Sequence, residues 1–198
     1  MINTAIALVS LQTVKDTLDI KEATKDTLLE LLIDSVSQRF NTKLRRVLAH
    51  TTYTDSLFDG SGNEWLYLPA YPISEITSVT EDDVLLVKET DYKIYYMAGA
   101  LRKALGALWS TEPQGLKISY KAGYVCLTAP SVGQTALPSD IKLAAIKQIG
   151  WEYNKQKAKS WGESSRSYPD GSQSFSESGD LLPEVMKVLD QYMNPYIG

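Results

Sequence analysis

Between Thr24 and about Arg45, apolar residues fall at Leu29, Leu32, Ile33, Val36, Phe40 and Leu44. These three- and four-residue steps predict a helix with one buried face, leaving Asp26, Glu30, Asp34 and Gln38 mostly on the other. Acidic residues gather near its start and Arg39, Lys43, Arg45 and Arg46 near its end, as the helix dipole favours. A shorter helix over about 11–19 precedes it, with Ser10 as the N-cap whose hydroxyl accepts from the first turn.

From Val47 the period changes to two. Short runs rich in Thr, Tyr, Val and Ile are separated by turn residues, which predicts strands. Thr51–Phe58 and Glu64–Leu68 flank Asp59-Gly60-Ser61-Gly62-Asn63, a hairpin signal because glycine tolerates positive φ. Pro69 and Pro72 end that pair, since neither can donate to a ladder. Ile73–Thr80, Val84–Lys88 and Tyr92–Met97 are further strands. In the clearest alternation Leu116, Ile118 and Tyr120 face one way, and Lys117, Ser119 and Lys121 the other. The middle third therefore reads as an antiparallel sheet inserted at about 47–124, with one face solvated.

Helical spacing returns over about 140–159, with Ser139 as the expected cap. Ile141, Leu143, Ala144, Ala145, Ile146, Ile149, Trp151 and Tyr153 cover more than the single stripe a small domain needs. That excess implies a second partner, and a neighbouring protomer is the economical choice. Residues 162–179 are rich in Ser and Gly, with Tyr168 and Phe175 as the large apolar exceptions, and predict a flexible or extended arm. Leu181–Tyr192 is helical again, with Leu182, Val185, Met186, Leu189 and Tyr192 on one side and Pro183 at the start, where its missing N–H costs nothing. The fold class is α+β: a helical bundle carrying a β insertion. A body over 1–160 is followed by an arm and docking helix over 161–198.

Composition narrows the functional classes. The 198 residues are 43% hydrophobic and 22% charged, which is ordinary for a globular chain. A net charge of −4 argues against a dedicated reader of duplex DNA. The single cysteine, Cys126, excludes an intrachain disulfide. The first residues lack the cationic flank of a secretory signal, and no apolar run is long enough to span a bilayer, so the chain reads as cytosolic.

Catalytic chemistry finds no constellation. His50 is the sole histidine and has no nucleophile motif beside it, so a structural role is expected. Cys126 reads as a small buried hydrophobe. Glu81-Asp82-Asp83 lacks the spacing of a calcium loop and reads as a solvated turn. No cofactor or metal site is expected. Lysines outnumber acids along 140–159, and Lys142, Lys147 and Lys155 are the candidates for contact with phosphate or an acidic partner; an ordinary solvated face is the plainer reading.

The order of these pieces resembles the gp6-like head–tail connector (adaptor) proteins of tailed bacteriophages. The resemblance is carried over about 8–160 by Leu11-Gln12-Thr13-Val14-Lys15-Asp16-Thr17-Leu18, Leu28–Leu44, Leu66-Tyr67-Leu68-Pro69-Ala70-Tyr71-Pro72-Ile73, Ile118-Ser119-Tyr120-Lys121-Ala122-Gly123-Tyr124 and Leu137-Pro138-Ser139-Asp140-Ile141-Lys142. It implies a non-enzymatic virion neck protein, assembled in the host cytoplasm. Such proteins form a ring, usually twelve-fold, beneath the portal; the ring extends the DNA channel and receives a stopper or tail protein. The family's C-terminal region commonly engages the portal, which makes Leu182, Val185, Met186, Leu189 and Tyr192 the expected portal anchor. Leu32, Val36, Phe40, Ile146, Ile149 and Tyr153 are the expected protomer interface. The alternatives are a head-completion or stopper protein of the same neck, a cytosolic enzyme using carboxylates at the hairpins, and a monomeric binding module.

Overall fold

The computed structural model describes residues 1–158 and 181–193, and the backbone of 165–168 and 171–174. The chain divides into a helical unit, Met1–Leu44 with Pro138–Met193, and a β unit, Arg45–Leu137.

In the helical unit, α1 spans Leu11–Leu18 and α2 spans Asp26–Leu44. Ser10 caps α1 as expected, its Oγ accepting from the Thr13 amide at 3.1 Å. A 3-10 turn at Ala23–Lys25 leads into α2, and Arg45 stops it by entering the left-handed region at φ 53°. α3 spans Ser139–Lys157 and α4 spans Pro183–Asp190. Ser139 does not cap α3. Pro138 holds the extended cap conformation instead, and its carbonyl accepts from the Lys142 amide at 3.0 Å. Leu29, Ile33, Val36 and Phe40 of α2 are fully buried, as are Ile141, Ala145 and Ile149 of α3, together with Val14 of α1 and Leu189 of α4.

The strands of the β unit are β1 (Thr51–Phe58), β2 (Trp65–Tyr67), β3 (Ile73–Glu81), β4 (Val84–Leu85), β5 (Tyr92–Tyr95), β6 (Ala100–Lys103), β7 (Leu116–Ala122), β8 (Tyr124–Val125) and β9 (Thr135–Ala136). They form a four-stranded sheet ordered β1-β7-β3-β4, a three-stranded sheet ordered β2-β6-β5, and a short parallel β8–β9 pair. β7 keeps its predicted alternation: Leu116, Ile118 and Tyr120 are buried, and Tyr120 stacks on Tyr53 of β1 at 4.7 Å between centroids. Burial pushes the Tyr120 phenol pKa up.

The predicted β1–β2 hairpin does not form, because β1 pairs with β7 and β2 with β6. The glycines between them serve close approach. The Gly60 and Gly62 amides donate to the carbonyls of Glu112 and Ser110, at 3.3 and 3.4 Å. A Cβ at Gly60 would lie 1.7 Å from the Ser110 carbonyl oxygen. β4 is shorter than the predicted Val84–Lys88, and β6 is a strand that the sequence pattern does not single out. In the arm, β10 (Ser165–Tyr168) pairs antiparallel with β11 (Gly171–Ser174). The rest of the arm expected over 162–179 lies outside the described residues.

Two contacts tie the β unit together. The Lys103 ammonium of β6 pairs with the Glu81 carboxylate of β3, joining the two larger sheets; their side chains are only 10% and 15% exposed. Glu81 also accepts the Ser110 amide at 2.8 Å. At the chain's way in and out, Tyr124 and Leu48 to His50 bond reciprocally: the Tyr124 amide donates to the Leu48 carbonyl at 2.7 Å, and the His50 amide to the Tyr124 carbonyl at 2.8 Å. Gly123 permits this clasp. Its φ is +105°, and a Cβ would lie 2.6 Å from the Ala49 carbonyl oxygen. The Arg46 guanidinium lies 3.4 Å over the Tyr71 ring and donates to the Tyr71 carbonyl at 2.6 Å. Burial lowers its pKa, opposed by Tyr71 and Tyr124, yet an arginine starting so high stays charged.

Glu81→Gln leaves the Lys103 charge buried without its counter-ion, and is expected to cost about 3 kcal/mol in urea unfolding. Gly123→Ala is expected to cost about 2 kcal/mol or more, from strain at positive φ and the clash with Ala49.

Candidate assembly surfaces

The six residues expected between protomers lie inside the helical unit of one chain. Leu32, Val36, Phe40, Ile146, Ile149 and Tyr153 are all at most 8% exposed. α3 packs on α1, α2 and α4 at once. Most of its wide apolar surface is therefore covered within the chain, by α4 as well as by α1 and α2, and Leu143 alone of the eight stays more than half exposed.

α4 is fastened to that unit along its length. Val185 and Leu189 are buried against it. The fully buried Gln148 accepts the Leu182 amide at 2.9 Å and donates to Glu152 at 2.8 Å. Glu152 in turn pairs with Arg39 of α2. Lys43 reaches Asp190 at 3.0 Å, and the Tyr192 hydroxyl donates to the Asp140 carboxylate at 2.8–2.9 Å. Of the five expected anchor residues, Val185 and Leu189 hold α4 to its own chain, while Leu182, Met186 and Tyr192 remain partly exposed. A side chain already buried at home offers no free surface to a second protein.

The three lysines do not form a common basic strip. Lys142 is half-buried. Lys147 pairs with Glu184 at 3.2 Å. Lys155 is 5% exposed, with its ammonium 4.3 Å from the Trp151 ring centroid. Cation–π contact and burial of its stem explain a position that charge counting reads as solvated.

His50 Nε2 lies 2.9 Å from Ser74 Oγ, but that hydroxyl donates to the Lys121 carbonyl. Burial and the Lys121 charge hold the imidazole pKa below its usual value. Cys126 is half-buried and donates to the Tyr124 carbonyl at 3.2 Å. Among the described residues, no three His, Cys, Asp or Glu side chains gather to hold a metal. Asp82 and Asp83 form the expected β3–β4 turn, both at positive φ. A groove of about 450 Å³ runs beside α1 and α3, lined by Leu18, Ile20, Glu22, Lys25, Tyr153 and Lys157 among others. It mixes charges of both signs without converging them.

One surface escaped the sequence reading. Exposed large apolar side chains concentrate between 84 and 108, including Val84, Leu85, Val87, Leu105 and Leu108. The available signal was the run Ala104-Leu105-Gly106-Ala107-Leu108, apolar where a connection is ordinarily polar.

A family model described as Head completion protein matches residues 7–194. The chain belongs to that family. Its role is therefore structural, that of a phage head-completion or head–tail connector protein, and not enzymatic. The connector expectation is met, and head completion, its alternative, names the same kind of protein. No curated protein matches the chain. Among solved structures, the chain is similar to one in the neck of an empty GTA particle computed with C6 symmetry: TM-score 0.62, 16% identity, 98% of this chain and 92% of that one. A chain in the neck of a native GTA particle computed with C12 symmetry has TM-score 0.57 and 13% identity, covering 98% and 91%. A third lies in the virion of a native gene transfer agent (GTA) particle, at TM-score 0.55 and 15% identity, covering 98% and 92%. At these identities the likeness speaks for a shared fold.

If Leu189 serves the chain's own core, Leu189→Ala is expected to cost about 2–5 kcal/mol in denaturant unfolding of the isolated chain. A free docking helix would leave that stability unchanged.

Proposed function

We propose that the chain is one protomer of a ring at the head–tail neck, docked beneath the portal protein, which extends the channel for passing double-stranded DNA and receives a stopper or tail protein. The observation that carries this reading is the family match over nearly the whole chain. Likeness to chains in necks computed with six-fold and twelve-fold symmetry supports the ring. The dispersed lysines and net charge of −4 support a conduit through which duplex slides without a salt-dependent grip. Docking on the portal falls, in this reading, to the C-terminal region. There, Leu182, Met186 and Tyr192 provide side chains that the bundle does not fully bury.

Electron microscopy of the purified chain mixed with its portal tests the reading. The expected result is a closed ring seated coaxially on the portal. A chain that stays monomeric and leaves the portal bare would overturn it.

A further inference from the structure

The β unit carries an apolar surface that its own core does not use. Val84, Leu85 and Val87 are each more than half exposed, and Leu105 is exposed completely. Their two segments adjoin. Asp91 donates its amide to the Val87 carbonyl and accepts the Ala104 amide on its own carbonyl, at 2.8 and 2.9 Å. Ser110, two residues beyond Leu108, donates to Glu81, the ladder partner of Val84.

The tip of this surface is also strained. Leu105 sits at φ 55°, ψ 24°, a conformation that suits Asn or Gly better than a branched side chain. A leucine there gains neither burial nor backbone comfort within the chain. The adjoining 82–91 segment is acidic in sequence, with Asp82, Asp83, Glu89 and Asp91 against Lys88.

The helical unit offers the opposite combination. Leu143 on α3 is 51% exposed, with Lys142 beside it and Lys147 one turn on. Glu184 of α4 pairs with Lys147, and the exposed Lys187 lies one turn along from Glu184. A cyclic ring closes through contacts in which two different patches of the same chain meet. We propose that the Ala104–Leu108 turn of one protomer docks around the exposed Leu143 of the next copy, with the acidic 82–91 segment beside the turn facing Lys142 and Lys187. This inference rests on the ring reading above.

The test compares assembly of the full chain, alone and with its portal, by sedimentation velocity and electron microscopy. Leu105→Asn fits the left-handed backbone, so the isolated chain should melt at the same temperature or higher, while assembly weakens at least tenfold. Asp83→Lys with Glu89→Lys should weaken it similarly, and adding Lys142→Glu with Lys187→Glu should restore it. Rings unaffected by Leu105→Asn would overturn this contact and leave the ring reading standing. Loss without rescue by the complementary reversal would overturn the second copy as occupant. A native chain that never assembles, even on the portal, would defeat the ring reading and this contact together.

Discussion

The β unit depends on the clasp between its first and last segments. Leu48 and His50 exchange backbone bonds with Tyr124, while Tyr124 continues into the parallel β8–β9 pair. Gly123 donates to the Pro72 carbonyl at 2.9 Å, and Arg46 lies between the rings of Tyr71 and Tyr124. Segments more than seventy residues apart in the chain thus meet at one residue without a side chain. Closing so long a loop costs entropy, and the cost grows only slowly with length. Once closed, β7 can stand between β1 and β3, with Leu116, Ile118 and Tyr120 turned into one core.

In the helical unit the governing quantity is how many neighbours a helix has. α3 touches three other helices, and apolar burial stabilises in proportion to the area taken from water. The buried apolar positions of α3 are thus explained by α1, α2 and α4, without invoking another protomer. The polar contacts follow the same pattern. Gln148, fully buried, is tolerated because both ends of its amide are bonded. What the unit leaves exposed is therefore a better guide to assembly than what it buries.

Three local signals were read correctly because near neighbours decide them. The α2 stripe, the Ser10 cap and the β7 alternation all rest on neighbours within one turn or one pleat, and each stands where its residues predicted. The non-enzymatic expectation agrees with the family match; it came from a sequence in which one histidine and one cysteine leave little to converge. The Asp59–Asn63 turn misled, since glycines permitting a tight hairpin also permit backbone to approach backbone, and the segment that approaches is fifty residues away. Ser139 misled for a smaller reason: Pro138 already held the conformation that a cap requires.

The sequence by itself determined the period of each segment, hence the class of each element and which side chains seek burial. It also carried, in the order of its motifs, the resemblance to phage head–tail connectors that the head-completion family match bears out. Only the tertiary structure decided which partner each apolar face takes. Val185 and Leu189 look the same in sequence whether they wait for another protein or are buried against α2 and α3. Lys155 looks solvated until Trp151 is beneath it, and only the folded turn leaves Leu105 wholly exposed. Hydrophobic attraction is non-directional, so a sequence states how much apolar surface must be covered, and only the packed chain states by what.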